Sequence, residues 1–330
     1  MKNTIDIVIT WVNGSDPVWA ADYKRTLEQL TGEIVDASIE KRYNDNGVLK
    51  YLLRSIEKNC SWVNKIYFVT YGHLPEWLEV NNDKLVIVNH KDFIPTKYLP
   101  TFNSATINLN LHRIKGLSEQ FIYANDDMIF LKKCNESDFF KNNLPCDCAI
   151  QDVIGSYKND CFYHMILNDL TLLNSISKKR QNIKKNFCKW FNLKYGSAAF
   201  MKNVCLSRFN LYTGFFEPHT PAPYLKSNYE QIWEKFSNEL NTSCCKKFRS
   251  NDCNTENLAR WYAIGNGKFV PTARNKNGYY TFMSDRKLDS VIAKQKYKMI
   301  CINYDSSPER NNSVLKMLDS IFPDKSIYEK

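Results

Sequence analysis

Two adjacent carboxylates close a short apolar run: Asn125-Asp126-Asp127 directly follows Phe121–Ala124 (FIYA). An acidic pair at a strand end suits a magnesium ion, which takes oxygen ligands and often combines one or two carboxylates with substrate phosphates. At a diphosphate, such an ion neutralises charge building on the leaving nucleotide. Strand geometry limits the idea, because adjacent side chains on a regular strand point to opposite faces. Both aspartates reach one ion only if the strand ends there. Otherwise one binds metal and the other orients a neighbour. The competing reading is an ordinary strand-to-turn transition with solvated aspartates, since Asp is common in turns.

Three further segments carry reactive side chains. Thr10-Trp11-Val12-Asn13-Gly14-Ser15-Asp16 is a second polar strand end. His219 lies in Phe216-Glu217-Pro218-His219-Thr220-Pro221, where prolines hold the chain extended and irregular. A histidine on such a loop can act as a general base near neutral pH, or serve only structure. Arg249-Ser250-x-Asp252 follows a predicted helix. Arginine suits a bidentate phosphate grip, with an exposed surface arginine as the alternative. The chain has no GxxxxGK[ST] loop, no GxGxxG fingerprint and no GxSxG elbow, so those phosphate-cradling and nucleophile motifs carry no reading.

The elements that must position these residues alternate. Ile5–Thr10, Lys65–Thr70, Leu85–Val88 and Phe121–Ala124 read as strands, and Met299–Ile302 as a later one. Segment 47–59 has helical spacing, with Leu49, Leu52, Leu53 and Ile56 on one face and Asp45 or Asn46 as N-cap. Segments 227–241, 255–264 and 311–321 read as further helices. Strands alternating with helices predict an α/β fold: a mainly parallel sheet with helices on both faces and a helical insertion. Such sheets bind ligands outside the carboxyl ends of their strands, where both polar strand ends lie.

The chain has 330 residues, 43% hydrophobic, enough for a sizeable core. No run approaches the roughly 20 apolar residues of a membrane span. Its start, MKNTIDIVIT, runs into a strand without a signal-peptide pattern, so the expected location is cytoplasmic. Eleven cysteines, an odd count without paired CxxC spacing, predict reduced structural thiols. The formal net charge of +10 favours anionic partners. Segment 178–194 holds seven basic residues with Phe187, Trp190 and Phe191 interleaved. It reads as a solvated helix face or as a peripheral contact with anionic lipid or polymer.

Together these segments resemble the Stealth family of sugar-phosphate transferases, which includes bacterial capsular polysaccharide phosphotransferases and the animal N-acetylglucosamine-1-phosphotransferase. Four conserved regions define the family. The first resembles IDIVITWVNGSDP, residues 5–17, and the second runs from Arg42 to Leu131. The third resembles FEPHTPAPY with FRSNDCNTENLARWYA, and the fourth KMICINYD from Lys298. The resemblance implies a nucleotide-sugar-transferase-like fold in one catalytic domain: a nucleotide-sugar-binding part over 1–135, a basic and mostly helical insertion over 136–215, and the remainder over 216–330.

It also implies the reaction. A sugar-1-phosphate, from a hexose or N-acetylhexosamine, passes from a UDP-sugar to a hydroxyl of an acceptor glycan or growing polysaccharide, and UMP leaves. Residue by residue, it places Trp11, Asn13, Gly14, Asp16, Arg42, Asp45, Arg54, Asn103, Ser104, His112, Arg113 and Asn303 in substrate binding. Asp126, Asp127, His219 and Arg249 become catalytic, with Asp126 and Asp127 holding Mg2+, or Mn2+ as the alternative. Partners are the donor, the glycan and a peripheral contact with the inner face of the membrane, without nucleic acid. One departure stands out: members often have Asn-Asp in the fourth region, whereas here Tyr304 separates Asn303 from Asp305. Two other readings remain: a metal-dependent glycosyltransferase, which would release UDP, and a non-catalytic polymer- or membrane-binding protein.

Overall fold

A computed structural model describes residues 4–32, 43–156, 160–305 and 307–330. Among them are strands β1 (Ile5–Thr10), β2 (Ile66–Thr70), β3 (Leu85–Asn89), β4 (Gln120–Asn125), β5 (Met128–Phe130), β6 (Phe140–Lys141), β7 (Leu144–Asp147), β8 (Ala222–Leu225), β9 (Val270–Pro271), β10 (Gly278–Phe282) and β11 (Met299–Asn303). The central sheet has the order β3-β2-β1-β4-β8. Its first four strands are parallel and only β8 runs antiparallel, against β4. The expected mainly parallel sheet is present. Two small sheets, β10-β11-β5 and β6-β7-β9, flank it.

Alternation along the strands gives the central sheet two buried faces. Val8, Tyr67, Val69, Phe121 and Tyr123 face one cluster, which includes Leu109, Tyr229, Ile232 and Trp261. Ile7, Ile9, Phe68 and Ile122 face the other, which includes Leu49, Leu52, Leu53 and Ile56. The period of two thus buries both faces, as the four parallel strands require.

The helix Leu49–Asn59 buries the apolar face read from its spacing. Its cap differs from expectation. Val48 is the cap residue, and Asp45 and Asn46 instead accept from Gly47 N and Val48 N in the turn just before it. Their short side chains close local turns before the helix begins. The single helix expected over 227–241 is two helices, Lys226–Lys235 and Ser237–Cys245. They break at buried Phe236, whose φ of −127° leaves the helical region. Among the described residues, which include all eleven cysteines, there is no disulfide. Among the described residues, no helix is long and apolar enough to cross a membrane.

Arg54 closes the C-terminal end of the chain onto this helix. Its Nε and Nη2 donate to the two carboxylate oxygens of Glu329, both at 2.8 Å, and Nη1 donates to Phe322 O at 2.7 Å. Both side chains are buried. Removing one partner of such a pair strands a buried charge, which costs about 3–5 kcal/mol. Arg54→Ala is therefore expected to lower unfolding stability by about that amount, read from urea denaturation midpoints. A loss below about 1 kcal/mol would contradict this placement.

Candidate active site

The register between β1 and β4 brings the two polar strand ends together. Ile9 pairs with Ala124 and Thr10 with Asn125, the last pair of the ladder. In the order β3-β2-β1-β4 the connections reverse direction between β1 and β4, the kind of crevice in which open α/β sheets bind ligands. Tyr123 bridges the two ends: its hydroxyl lies 3.1 Å from Thr10 Oγ1 and donates to Asn125 Oδ1 at 2.5 Å.

Strand β4 stops at Asn125, and Asp126-Asp127 form the turn into β5. Ile302 N donates to Asp127 O at 2.9 Å and anchors the turn to β11. Both carboxylates are half-buried. Burial, then the neighbouring charges of Asp127 and Asp45, push the Asp126 carboxyl well above its ordinary range. Burial also raises Asp127, opposed by His219 and a hydrogen bond with Cys301. Asp127 Oδ1 is buried and has no hydrogen-bond partner.

A cavity of about 500 Å3 is lined by Asn13, Ser15, Asn44, Asp45, Asn46 and Tyr304 among others, and the Asp45 charge acting on Asp126 links it to this turn. That size fits a small-molecule site. The first motif shapes its wall. Gly14 N donates to Tyr43 O at 2.6 Å, and Asn13 N donates to His73 Nε2 at 2.9 Å. Trp11 is buried against Phe68 and His73. Asp16 Oδ1 accepts from Trp19 N at 2.8 Å and caps the helix Pro17–Thr31.

His219 approaches from the third segment. Its φ of +43° is left-handed, an uncommon conformation for a non-glycine residue that needs surrounding support. Glu217 Oε1 accepts from His219 N at 3.0 Å, and the Tyr280 ring stands edge-on to the imidazole with centroids 5.0 Å apart. Asn303 Nδ2 donates to Tyr280 Oη at 3.0 Å, so this expected site residue acts on the ring beside His219. Asp305 accepts from Ser284 N at 2.9 Å and is bound into the adjoining turn.

A buried ion cluster holds the loop of His219. Arg260 grips Asp147 with Nε to Oδ2 at 2.6 Å and Nη2 to Oδ1 at 2.8 Å, and also pairs with Glu217. Arg274 lies 3.2 Å from Asp147 Oδ1 and donates to Thr220 O at 3.2 Å. Burial alone would raise the Asp147 carboxyl, but the two guanidiniums hold it at about 2. A second buried carboxylate, Asp169, accepts from Asn254 Nδ2 at 2.9 Å and Thr255 N at 3.0 Å. It fixes the residue before Glu256. Burial raises the Glu256 carboxyl, while Asn108, through a hydrogen bond, and His219 oppose that shift and Glu217 adds to it.

The other expected residues fall into two groups. Ser104 Oγ accepts from Arg249 Nε at 3.0 Å, and exposed Arg249 is thereby oriented on the start of the helix Ser104–Leu109. Asn103 caps that helix and is fully buried. The remaining side chains are engaged elsewhere. Arg54 is committed to Glu329. His112 is buried between Tyr229 and Trp233, and burial lowers its imidazole to about 3. Arg113 lies 4.8 Å over the Trp233 ring, facing a separate groove with Lys97 and Asn241. Arg42 lies outside the described residues.

Sequence reasoning missed Tyr123, Asn108, Glu217, Glu256, Tyr280 and the Asp147 cluster. For Glu217 and Glu256 a signal existed, since both sit inside the third-region segments beside His219 and Arg249. For Asp147 none did, because its partners are more than a hundred positions away in the chain.

Comparison with known proteins decides the family. Residues 3–31 match Stealth protein conserved region 1, and residues 42–147 match conserved region 2. A capsular polysaccharide phosphotransferase of Streptococcus pneumoniae is 38% identical over 100% of both chains. An exopolysaccharide phosphotransferase of Lactiplantibacillus plantarum is 34% identical over 99% of this chain and 96% of its own. A receptor polysaccharide phosphotransferase of Streptococcus oralis is 31% identical over 99% of each. The chain belongs to the Stealth family. It is thus a transferase of phosphate-containing sugar groups. Stealth region 1 supplies β1 and the wall of the cavity. Stealth region 2 runs from Asp45 at its rim through Asp126-Asp127 to Asp147 beneath the His219 loop.

The depressed Asp147 carboxyl gives a pH signature. Its contribution to stability is complete above the unfolded carboxylate value of about 3.9 and disappears as pH falls towards 2. Asp147→Asn is expected to cost about 3–5 kcal/mol at pH 7, by leaving two buried guanidiniums short of a charge. The gap to wild type should narrow between about pH 4 and pH 2 in denaturation midpoints. A gap independent of pH would remove Asp147 from this role.

Proposed function

We propose that the protein transfers a sugar-1-phosphate from a UDP-sugar to a hydroxyl of an acceptor glycan, in the synthesis of a capsule or other cell-surface polysaccharide. The relatives' names support sugar-phosphate transfer to a polysaccharide. The observation that carries the reading is the convergence of Asp126-Asp127, His219 and the amide-lined cavity at the β1/β4 crevice.

On this reading the nucleoside end of the donor occupies the cavity beside Asp45, and the diphosphate extends towards Asp126-Asp127. The acceptor hydroxyl attacks the β-phosphorus, and His219 takes its proton. The bond from the β-phosphorus to the bridging oxygen breaks. UMP leaves with that electron pair, and a phosphodiester remains. His219 suits the base role because its backbone is fixed by Glu217 and its ring is flanked by Tyr280. Arg249, held by Ser104, suits the gripping of phosphoryl oxygens.

A divalent cation fits the carboxylate pair. Both oxygens sets are hard donors, burial and mutual repulsion already disfavour two bare carboxylates, and Asp127 Oδ1 lacks a partner. Among the described residues no group of three or more His, Cys, Asp or Glu could hold a metal, so substrate oxygens would complete the shell. Mg2+, or Mn2+, held by Asp126 and Asp127 would supply charge neutralisation at the phosphates. A cell-surface polymer must pass the membrane, so a peripheral position at its inner face belongs to this reading.

Incubation with UDP-N-acetylglucosamine, an acceptor oligosaccharide and Mg2+ should release UMP. Release of UDP would replace this reaction with glycosyl transfer. His219→Ala should lower kcat by about 10²–10⁴ with a smaller change in donor KM. Chelation with EDTA should stop UMP release, and Mg2+ should restore it; full activity in EDTA would remove the metal.

A further inference from the structure

The molecule's charge is concentrated in one stretch. Residues 170–216 contain nine Lys or Arg and no Asp or Glu, against a formal net charge of +10 for the whole chain. Five of these nine cations are engaged by other groups of the chain. Lys179 Nζ donates to Leu206 O at 2.7 Å and Leu211 O at 2.9 Å, and Lys189 Nζ donates to Phe269 O at 2.9 Å. Arg180 and Lys194 donate to the carbonyls of Arg208 and Pro271, and Lys202 pairs with Asp152. Lys178, Lys184, Lys185 and Arg208 remain without a side-chain partner among the described residues.

The same stretch exposes apolar side chains to an unusual degree. Leu193 is 79% exposed, Phe187 58%, and Met201, Phe209 and Leu211 each 56%. On the helix Ser197–Leu206, Ala198, Met201 and Cys205 are all exposed at spacings of three and four. They form an apolar stripe along one outward face, and Phe209 and Leu211 continue the chain beyond it. Contacts tie the pieces into one surface unit. Phe191 joins Phe187 and Phe200 with ring centroids 4.6 and 5.9 Å away, and Arg180 and Lys179 lock the 206–211 turn to the helix Lys179–Lys185. Along the chain, exposed Lys184 and Lys185 precede exposed Phe187 by two or three positions, and exposed Arg208 adjoins exposed Phe209.

We infer that residues 170–216 dock the protein on an anionic lipid surface, and that they do so by inserting this apolar rim while the free cations contact the headgroups. This rests on the peripheral position proposed above and names the surface that achieves it. An apolar face rimmed by cations, without acidic residues, is the chemistry of interfacial membrane binding. A soluble anionic polymer would use the cations but give Met201, Leu193 and Phe209 nothing to bury against.

The test is sedimentation of the full chain with vesicles of phosphatidylcholine alone or with phosphatidylglycerol. Binding to the anionic vesicles is expected, with little to phosphatidylcholine alone. Raising salt from about 0.1 M to about 1 M, where the Debye length falls from about 10 Å to about 3 Å, should weaken but not abolish it. Met201→Asp/Phe209→Asp should reduce the bound fraction about tenfold or more, with an unchanged melting temperature because both sites are exposed. K184Q/K185Q should reduce it several-fold. Absence of binding to anionic vesicles overturns the inference. So does binding indifferent to the aspartate substitutions, or complete loss in high salt, which would mark simple charge attraction. Self-association of the free chain that these substitutions abolish would assign the rim to a second copy instead, and equally overturns it. UMP release on a soluble acceptor is measured separately in the same variants, so failure of docking and failure of the proposed reaction are distinguishable.

Discussion

The His219 loop depends on a charge cluster that could not be buried unless it were paired. Asp147 at the end of β7 holds Arg260 in two places and Arg274 in a third, and Arg260 passes on to Glu217. The side chains of Asp147, Arg260 and Arg274 are almost wholly enclosed, so each of these charges is tolerated only because the others neutralise it. The cluster spans β7, the helix Asn257–Gly265 and the segment at 216–220. Its rigidity is what allows His219 to persist at a positive φ, since nothing in an isolated loop would hold an imidazole residue there. A loop between prolines is thereby fixed to a sheet it does not belong to.

The other half of the site depends only on the sheet. Parallel pairing of β1 with β4 ends at Thr10 and Asn125, and both chains leave the sheet at one crevice. The polar residues after each strand meet there without needing a special interaction. This explains an unevenness in what the sequence reveals. The strands, the parallel sheet, the helix Leu49–Asn59 and the two polar strand ends follow from local periodicity, and their meeting follows from general sheet topology. The Asp126-Asp127 ambiguity also has a local answer: β4 stops one residue before the pair, so strand alternation does not separate them.

What was not legible is long-range or buried. Arg54 and Glu329 are 275 positions apart, and an arginine in a sequence does not show whether a carboxylate will close over it. His112 and Asn103 have the residue types of ligands but the surroundings of core: one stacks on Tyr229, the other caps a buried helix. The break at Phe236 was hidden because the apolar period continues across it and the ring buries itself at the kink. In segment 178–194 the charges were visible, but not that Lys179 and Lys189 are turned inward onto carbonyls. Composition counts charges; only packing tells which of them face the solvent.

On the proposed reaction, the electrostatics of the cleft would favour a donor accompanied by a cation. Burial and the charges of Asp127 and Asp45 raise the Asp126 carboxyl, and burial and the charge of Glu217 raise that of Glu256. Glu217 is paired with Arg260, and His219 opposes the rise of the Asp127 carboxyl. The remaining negative charge faces the crevice in which a diphosphate would have to lie. Two phosphates brought alone against Asp126 and Asp127 would add like charge to groups already resisting ionisation, in a setting screened less than bulk water. A hard divalent ion held by Asp126 and Asp127 would remove both conflicts by supplying positive charge beside Asp127 Oδ1, which lacks a partner. The acidic cleft and the proposed anionic substrate are therefore compatible through the ion they would share, whereas Arg249, exposed and oriented by Ser104, offers a single positive charge.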